Sequence, residues 1–158
     1  MKQTIDVTFK KLSDKIGTDI PSPFYATDGS AGIDLAACLD DLLVIQPNEW
    51  KRVPTGLAMQ IHDLNVVGLL FPRSGLALRQ GVTFQNAVGV IDADYRGPLE
   101  ILVRNEGTEP LEIRDGDRIA QLVFVPYYRA QIAFSDQLEE TARGAGGFGS
   151  TGITAARG

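Results

Sequence analysis

Turn signals interrupt the apolar runs of this chain before any helix could complete several turns. Apolar residues gather in short segments, the clearest being Leu43 to Ile45, Leu57 to Ile61, Val66 to Phe71, Leu99 to Val103 and Arg118 to Val125. Between them lie Gln46-Pro47-Asn48-Glu49, Asn105-Glu106-Gly107-Thr108-Glu109-Pro110 and Arg114-Asp115-Gly116-Asp117. Their Gly, Pro, Asn and Asp residues suit tight reversals. Short strands broken at this frequency pack as an all-β sandwich or barrel. No segment carries a capped helical stripe, so at most one short helix is predicted, over Leu76 to Gln80 after the Ser74-Gly75 turn.

With 158 residues, 44% of them hydrophobic, the chain suits one compact domain with its own core. The composition shifts at Arg143, where Arg143-Gly144-Ala145-Gly146-Gly147-Phe148-Gly149-Ser150-Thr151-Gly152 packs five glycines into ten residues. Such a tail adds nothing to a core. The expected division is a β-barrel over residues 1–142 and a mobile glycine-rich tail over 143–158.

Net charge is −5, with acids and bases interleaved, so a long phosphate backbone is not the expected partner. The segment Met1 to Lys11 lacks the apolar centre of a signal peptide. The longest apolar stretch, Val66 to Phe71, has six residues, whereas crossing a bilayer takes about 20. A soluble protein is expected. Cys38 is the single cysteine, so no intrachain disulfide can form, and a small domain without one suits the reducing cytoplasm. His62 has no Cys or His companions at ligand spacing, so zinc is not expected.

Several segments carry more chemistry than folding needs. Pro72-Arg73-Ser74-Gly75-Leu76-Ala77 brings a guanidinium, a hydroxyl and a glycine amide to the end of an apolar strand, a suitable nest for a small anion. Gly89-Val90-Ile91-Asp92-Ala93-Asp94-Tyr95-Arg96-Gly97-Pro98-Leu99 has the outline of a hairpin with two acids and a tyrosine at its tip. It fails as an EF-hand loop, because Arg96 replaces a ligand and Val103 stands where the closing glutamate belongs. Ala31-Gly32-Ile33-Asp34-Leu35 sets one acid in an apolar strand, and Arg118-Ile119-Ala120-Gln121-Leu122-Val123-Phe124 sets one amide in another. Isolated polar residues of that kind commonly face solvent. The tail contains G-x-G-x-x-G at Gly144, Gly146 and Gly149, but too few residues follow for a βαβ unit, and Ser150 stands where a Walker loop needs lysine. Its Arg143 can instead fork onto phosphate, Phe148 can stack on a base, and Ser150 and Thr151 offer hydroxyls.

In order and spacing, these five segments resemble the five motifs of the trimeric dUTPase family, from Ala31 to Gly152. The resemblance implies a jelly-roll-like β subunit, a homotrimer with active sites at subunit interfaces, and magnesium-dependent hydrolysis of dUTP to dUMP and pyrophosphate. It implies Asp92 as the general base. Uracil and deoxyribose fall to Asn86, Gly89, Val90, Ile91, Tyr95 and Phe148, and the phosphates to Arg73, Ser74, Gly75, Gln121, Arg143, Gly147, Ser150 and Thr151. Asp34 touches the metal only through water, Mg2+ being held mainly by substrate phosphates, and the tail from Arg143 acts as a lid. Two alternatives stand beside this reading. One is a dCTP deaminase, or a bifunctional deaminase and dUTPase, of the same fold. The other is a non-catalytic jelly-roll module whose acids only form turns.

Overall fold

A computed structural model describes residues 4–147. The chain divides into two compact units between Tyr128 and Arg129. Among the described residues, the strands all lie in the first unit: β1 (Val7–Lys11), β2 (Phe24–Tyr25), β3 (Ile33–Ala36), β4 (Leu43–Ile45), β5 (Trp50–Ile61), β6 (Val66–Pro72), β7 (Val82–Phe84), β8 (Gly89–Ile91), β9 (Pro98–Asn105), β10 (Leu111–Ile113) and β11 (Arg118–Pro126). One short helix, α1 (Ser74–Gln80), follows β6 and ends at Gly81 in a left-handed conformation.

Two antiparallel sheets enclose the core, in orders β1-β5-β9-β7 and β2-β3-β11-β6-β8, and a β10-β4 ribbon adds a smaller third piece. This is the all-β architecture that the turn frequency predicted, in the jelly-roll-like form that the family resemblance implied. Alternation fills the core: β9 buries Leu99, Ile101 and Val103 and turns Glu100, Leu102 and Arg104 outward. Strand β5 does the same through Val53, Thr55 and Leu57, then shifts register between Pro54 and Ala58. The shift falls at Gly56, whose φ of +69° disfavours any side chain and whose β-carbon would come within 2.8 Å of the Cys38 sulfur.

The segment from Gly89 to Leu99 is not the hairpin its outline suggested. Strand β8 pairs with β6, while β9 pairs with β5 and β7 in the other sheet. Apolar flanks around a polar bend suit two strands that part company as well as two that pair. The polar stretch therefore crosses from one sheet to the other, and Ala93 is its buried anchor.

The turn reading of Asn105 also needs correction. Period-2 alternation carries it into the core after Val103, where it is fully buried. Its side-chain amide donates to the Ile45 carbonyl at 2.9 Å and the Glu109 carbonyl at 2.8 Å, and its oxygen accepts from the Gly107 N–H at 2.9 Å. Asn105 thus ties β4 and the following turn to β9. Asn105→Ala would leave these backbone groups unpaired, and the expected loss is about 2–3 kcal/mol in urea unfolding. A loss below about 0.5 kcal/mol would mean that other donors replace the amide.

Candidate active site

Strand β11 lies between β3 and β6, and its register sets the centre of the site. Gln121 stands opposite Asp34 on one side and Phe71 on the other. Ile119 and Ala120 both point inward, and the register slips between Arg118 and Ala120. This bulge re-aims the side chain ahead of it. Arg118 reaches Asp34, with Nη1 donating to Oδ2 at 3.0 Å. From the end of β6, Arg73 Nε donates to Asp34 Oδ1 at 3.1 Å, and its Nη1 donates to the Arg118 carbonyl at 3.4 Å.

The Asp34 side chain is only 10% exposed, and both of its oxygens are paired with guanidinium groups. It does not simply face solvent, as a lone acid in a strand commonly does. The arginines are more open, at 30% for Arg73 and 43% for Arg118. They retain donors for a further anion. Beside them opens a cavity of about 290 Å³, with Arg73, Gln80, Asp117 and Arg118 in its wall.

Gln121 interlocks the same segments. Its Nε2 donates to the Pro72 carbonyl at 3.1 Å. Its oxygen lies over Gly32, where a β-carbon would approach to 2.9 Å, so the first motif makes room for the fourth. Ser74 and Gly75 open α1, where the Arg73 carbonyl already accepts from the Leu76 and Ala77 amides at 3.0 and 3.1 Å. Gly75 is small enough to let the Arg79 guanidinium lie against it, 3.1 Å from where its β-carbon would stand.

The third motif is built separately. Asn86 and Ala87 form a tight reversal: the Val88 N–H donates to the Asn86 carbonyl at 2.7 Å, and Ala87 adopts φ of +60°. Gly89 then passes close against Leu70, while Val90 points outward. Asp92 and Tyr95 sit on the exposed crossing loop after Ile91. Strand β8 runs antiparallel to β6, with Gly89 opposite Leu70 and Ile91 opposite Gly68. Gly68 precedes Arg73 by five positions, about 16 Å along an extended strand. Within one chain, the loop bearing Asp92 therefore leads away from the arginines, and neither Asp92 nor Tyr95 lines the cavity beside them.

In the second unit, Arg143 Nε donates to the Gly146 carbonyl at 3.0 Å, and the Gly146 N–H donates back to the Arg143 carbonyl at 3.2 Å. Gly147 follows this turn. Phe148, Ser150 and Thr151 lie outside the described residues.

Of the residues singled out in the sequence, Asp34, Arg73 and Gln121 meet at one end of a sheet, while Asn86, Gly89, Val90, Ile91, Asp92 and Tyr95 follow one another around its β8 edge. Sequence reasoning overlooked Arg118 and Gly32. Arg118 opens its strand as an unremarkable surface charge, and only the bulge turns it toward Asp34. Gly32 left a signal in its smallness, but the neighbour requiring it is 89 positions away.

The fold and its motif segments define an antiparallel, jelly-roll-like β class, and comparison with known proteins narrows it. The dUTPase family model matches residues 18–152, and the chain belongs to that family. It is 49% identical to the deoxyuridine 5'-triphosphate nucleotidohydrolase of Haemophilus influenzae over 148 residues, 94% of this chain and 97% of the relative. The corresponding protein of Coxiella burnetii is 50% identical over 149 residues, 94% of this chain and 98% of the relative. Among solved structures, the Staphylococcus bacteriophage 80alpha dUTPase with dUpNHpp matches with a TM-score of 0.81 and 27% identity, covering 95% of this chain and all of that one. A point mutant of the phage phi11 dUTPase, described with a structural Mg(II) ion, shares the fold at a TM-score of 0.73 and 24% identity, covering 85% of this chain and 99% of that one.

Asp34→Asn keeps the shape and removes the charge that holds two guanidinium groups. Discounted for the exposure of both arginines, the expected loss is about 1–2 kcal/mol in urea unfolding. An unchanged midpoint would show that the two ion pairs add nothing net.

Proposed function

We propose that this chain hydrolyses dUTP to dUMP and pyrophosphate, with Asp92 as the general base. The observation that carries the reading is the full set of five motifs on a chain of the dUTPase family, with the first, second and fourth interlocked around Asp34. A carboxylate on an exposed loop can take a proton from water, which then attacks the α-phosphorus in line. Arg73, Ser74, Gly75 and Gln121 hold phosphate oxygens, and Arg118 joins them through its shared carboxylate.

Backbone groups from Asn86 to Ile91 read uracil. Cytosine, with donors and acceptors exchanged, would leave buried polar groups unpaired there, which discriminates strongly. Tyr95 lies beneath the deoxyribose and leaves no space for a 2′-hydroxyl. Arg143, Gly147, Phe148, Ser150 and Thr151 belong to the lid, which excludes bulk water once nucleotide is bound. The deaminase alternative is not favoured, since the family and the named relatives all point to the triphosphate hydrolase.

Magnesium suits the donor set. Among the described residues no group of three or more His, Cys, Asp or Glu could hold a metal. Both Asp34 oxygens already accept from guanidinium groups. Such a chain fits a hard cation carried mainly by phosphate oxygens and water, with Asp34 at its outer shell. Bound there, the ion would supply charge neutralisation and fix the triphosphate conformation.

The assembly belongs to the same proposal. In one chain, antiparallel register sends the Asp92 loop and the Arg73 cluster toward opposite ends of β6. Helix α1 buries none of its residues, and Leu78 is 88% exposed. Both features suit a homotrimer whose sites draw the base and the phosphate grip from different subunits. No helix among the described residues is long and apolar enough to cross a membrane. We place the enzyme in the cytoplasm on the strength of its single, unpaired Cys38.

The deciding experiment measures pyrophosphate release from dUTP, dCTP, dTTP and UTP with and without magnesium. Release from dUTP alone, dependent on the metal, is expected, and ammonia from dCTP would instead support the deaminase. Asp92→Asn is expected to lower kcat by at least about a hundredfold with KM little changed, and parent-like turnover would remove Asp92 from the role of base. Deleting residues from Arg143 onward is expected to cut kcat/KM severely while leaving the unfolding midpoint of the barrel intact, and a fully active truncation would rule out the lid.

A further inference from the structure

We propose that Arg96 is a positioning residue that fixes the orientation of both Asp92 and Tyr95, an inference that rests on the dUTP reading of the same loop. The crossing from β8 to β9 has little burial to hold it. Ala93 is inside, but Asp92, Asp94, Tyr95 and Arg96 are exposed. Hydrogen bonds must therefore define the rest of its shape.

One backbone bond closes the turn, with the Tyr95 N–H donating to the Asp92 carbonyl at 3.1 Å. This leaves the carbonyls of Ala93 and Tyr95 without backbone donors. Arg96 serves both: its Nη1 donates to the Ala93 oxygen at 2.7 Å and to the Tyr95 oxygen at 2.9 Å. One guanidinium nitrogen thus bridges the middle of the turn to its end, and a charged donor makes the stronger kind of hydrogen bond.

The peptide between Asp92 and Ala93 belongs to this turn, so the direction of the Asp92 side chain follows the clamp. Tyr95 is held from two sides. Arg96 fixes its carbonyl, while its hydroxyl donates to the Pro98 carbonyl at 3.1 Å. The ring lies over Gly97, where a β-carbon would collide with the Tyr95 hydroxyl. The base and the sugar platform therefore share one clamp that touches neither base nor sugar.

Because the clamp is exposed, its loss should appear in catalysis more than in stability, since general-base geometry tolerates little displacement. The test uses the full chain and measures kcat and KM on dUTP and UTP for wild type, Arg96→Ala, Arg96→Lys, Asp92→Asn and the Asp92→Asn/Arg96→Ala double variant.

Arg96→Ala is expected to lower kcat about tenfold or more with KM within about threefold, and to narrow the preference for dUTP over UTP, with the unfolding midpoint moved by no more than about 2 °C. Arg96→Lys should recover most of the loss, because an ammonium also carries several donors. With the base already removed, Arg96→Ala should cost little further kcat. The inference is overturned if Arg96→Ala matches wild type in kcat and preference, if its penalty is undiminished in the Asp92→Asn background, or if lost activity simply follows a large fall in the midpoint. Wild-type protein that releases no pyrophosphate from dUTP would overturn the functional reading and this inference together, whereas an active wild type beside an indifferent Arg96→Ala overturns this inference alone.

Discussion

A carboxylate nearly removed from water and shared by two guanidinium groups ties the candidate site together. Asp34, on β3 between β2 and β11, is met by Arg118 from the start of β11 and by Arg73 from the end of β6, beyond β11. The bulge at the start of β11, the packing of Gln121 against Gly32 and the turn into α1 all bear on that meeting. A carboxylate between two cations also keeps them from repelling each other before a polyanion arrives. Their side chains are ordered in advance, which lowers the entropic cost of binding.

The second constraint is register. Antiparallel pairing of β6 with β8 brings Gly89 toward the Arg73 end of β6 and carries the chain from Ile91 onward in the other direction. The segment from Asn86 to Ile91 and the loop with Asp92 thus follow one sheet edge, while the guanidinium groups of Arg73 and Arg118 grow out of the neighbouring strands. Within a single barrel these two groups of residues lie apart. The proposed homotrimer would bring such separated groups together, and the unburied face of α1 is available to it.

Much of the fold was legible because alternation is a local signal. The strands through Val66, Leu99 and Arg118 emerge within a residue or two of the apolar runs that announced them, and α1 begins at the predicted Ser74-Gly75 turn. Strands β7 and β10 have three residues each, too few to display a period, and β5 begins at Trp50, Lys51 and Arg52, which face outward. Asn105 looked like turn chemistry because its type is common in turns, yet strand phase placed it in the core. The hairpin expected around Asp92 failed for a related reason: a polar bend between apolar strands reveals a reversal but not which partner each strand will choose.

The sequence by itself determined the all-β class, the family and the residue types available for the chemistry, because side-chain alternation, turn propensity and motif spacing are properties of neighbouring residues. Tertiary structure decided which charges meet. Asp34 with Arg118, Gln121 with Gly32 and the Arg96 clamp across its own turn depend on strand register, one bulge and the path of a crossing loop. Those are set by how the two sheets close over their shared core, a balance of long-range burial and backbone pairing that no local stretch of residues contains.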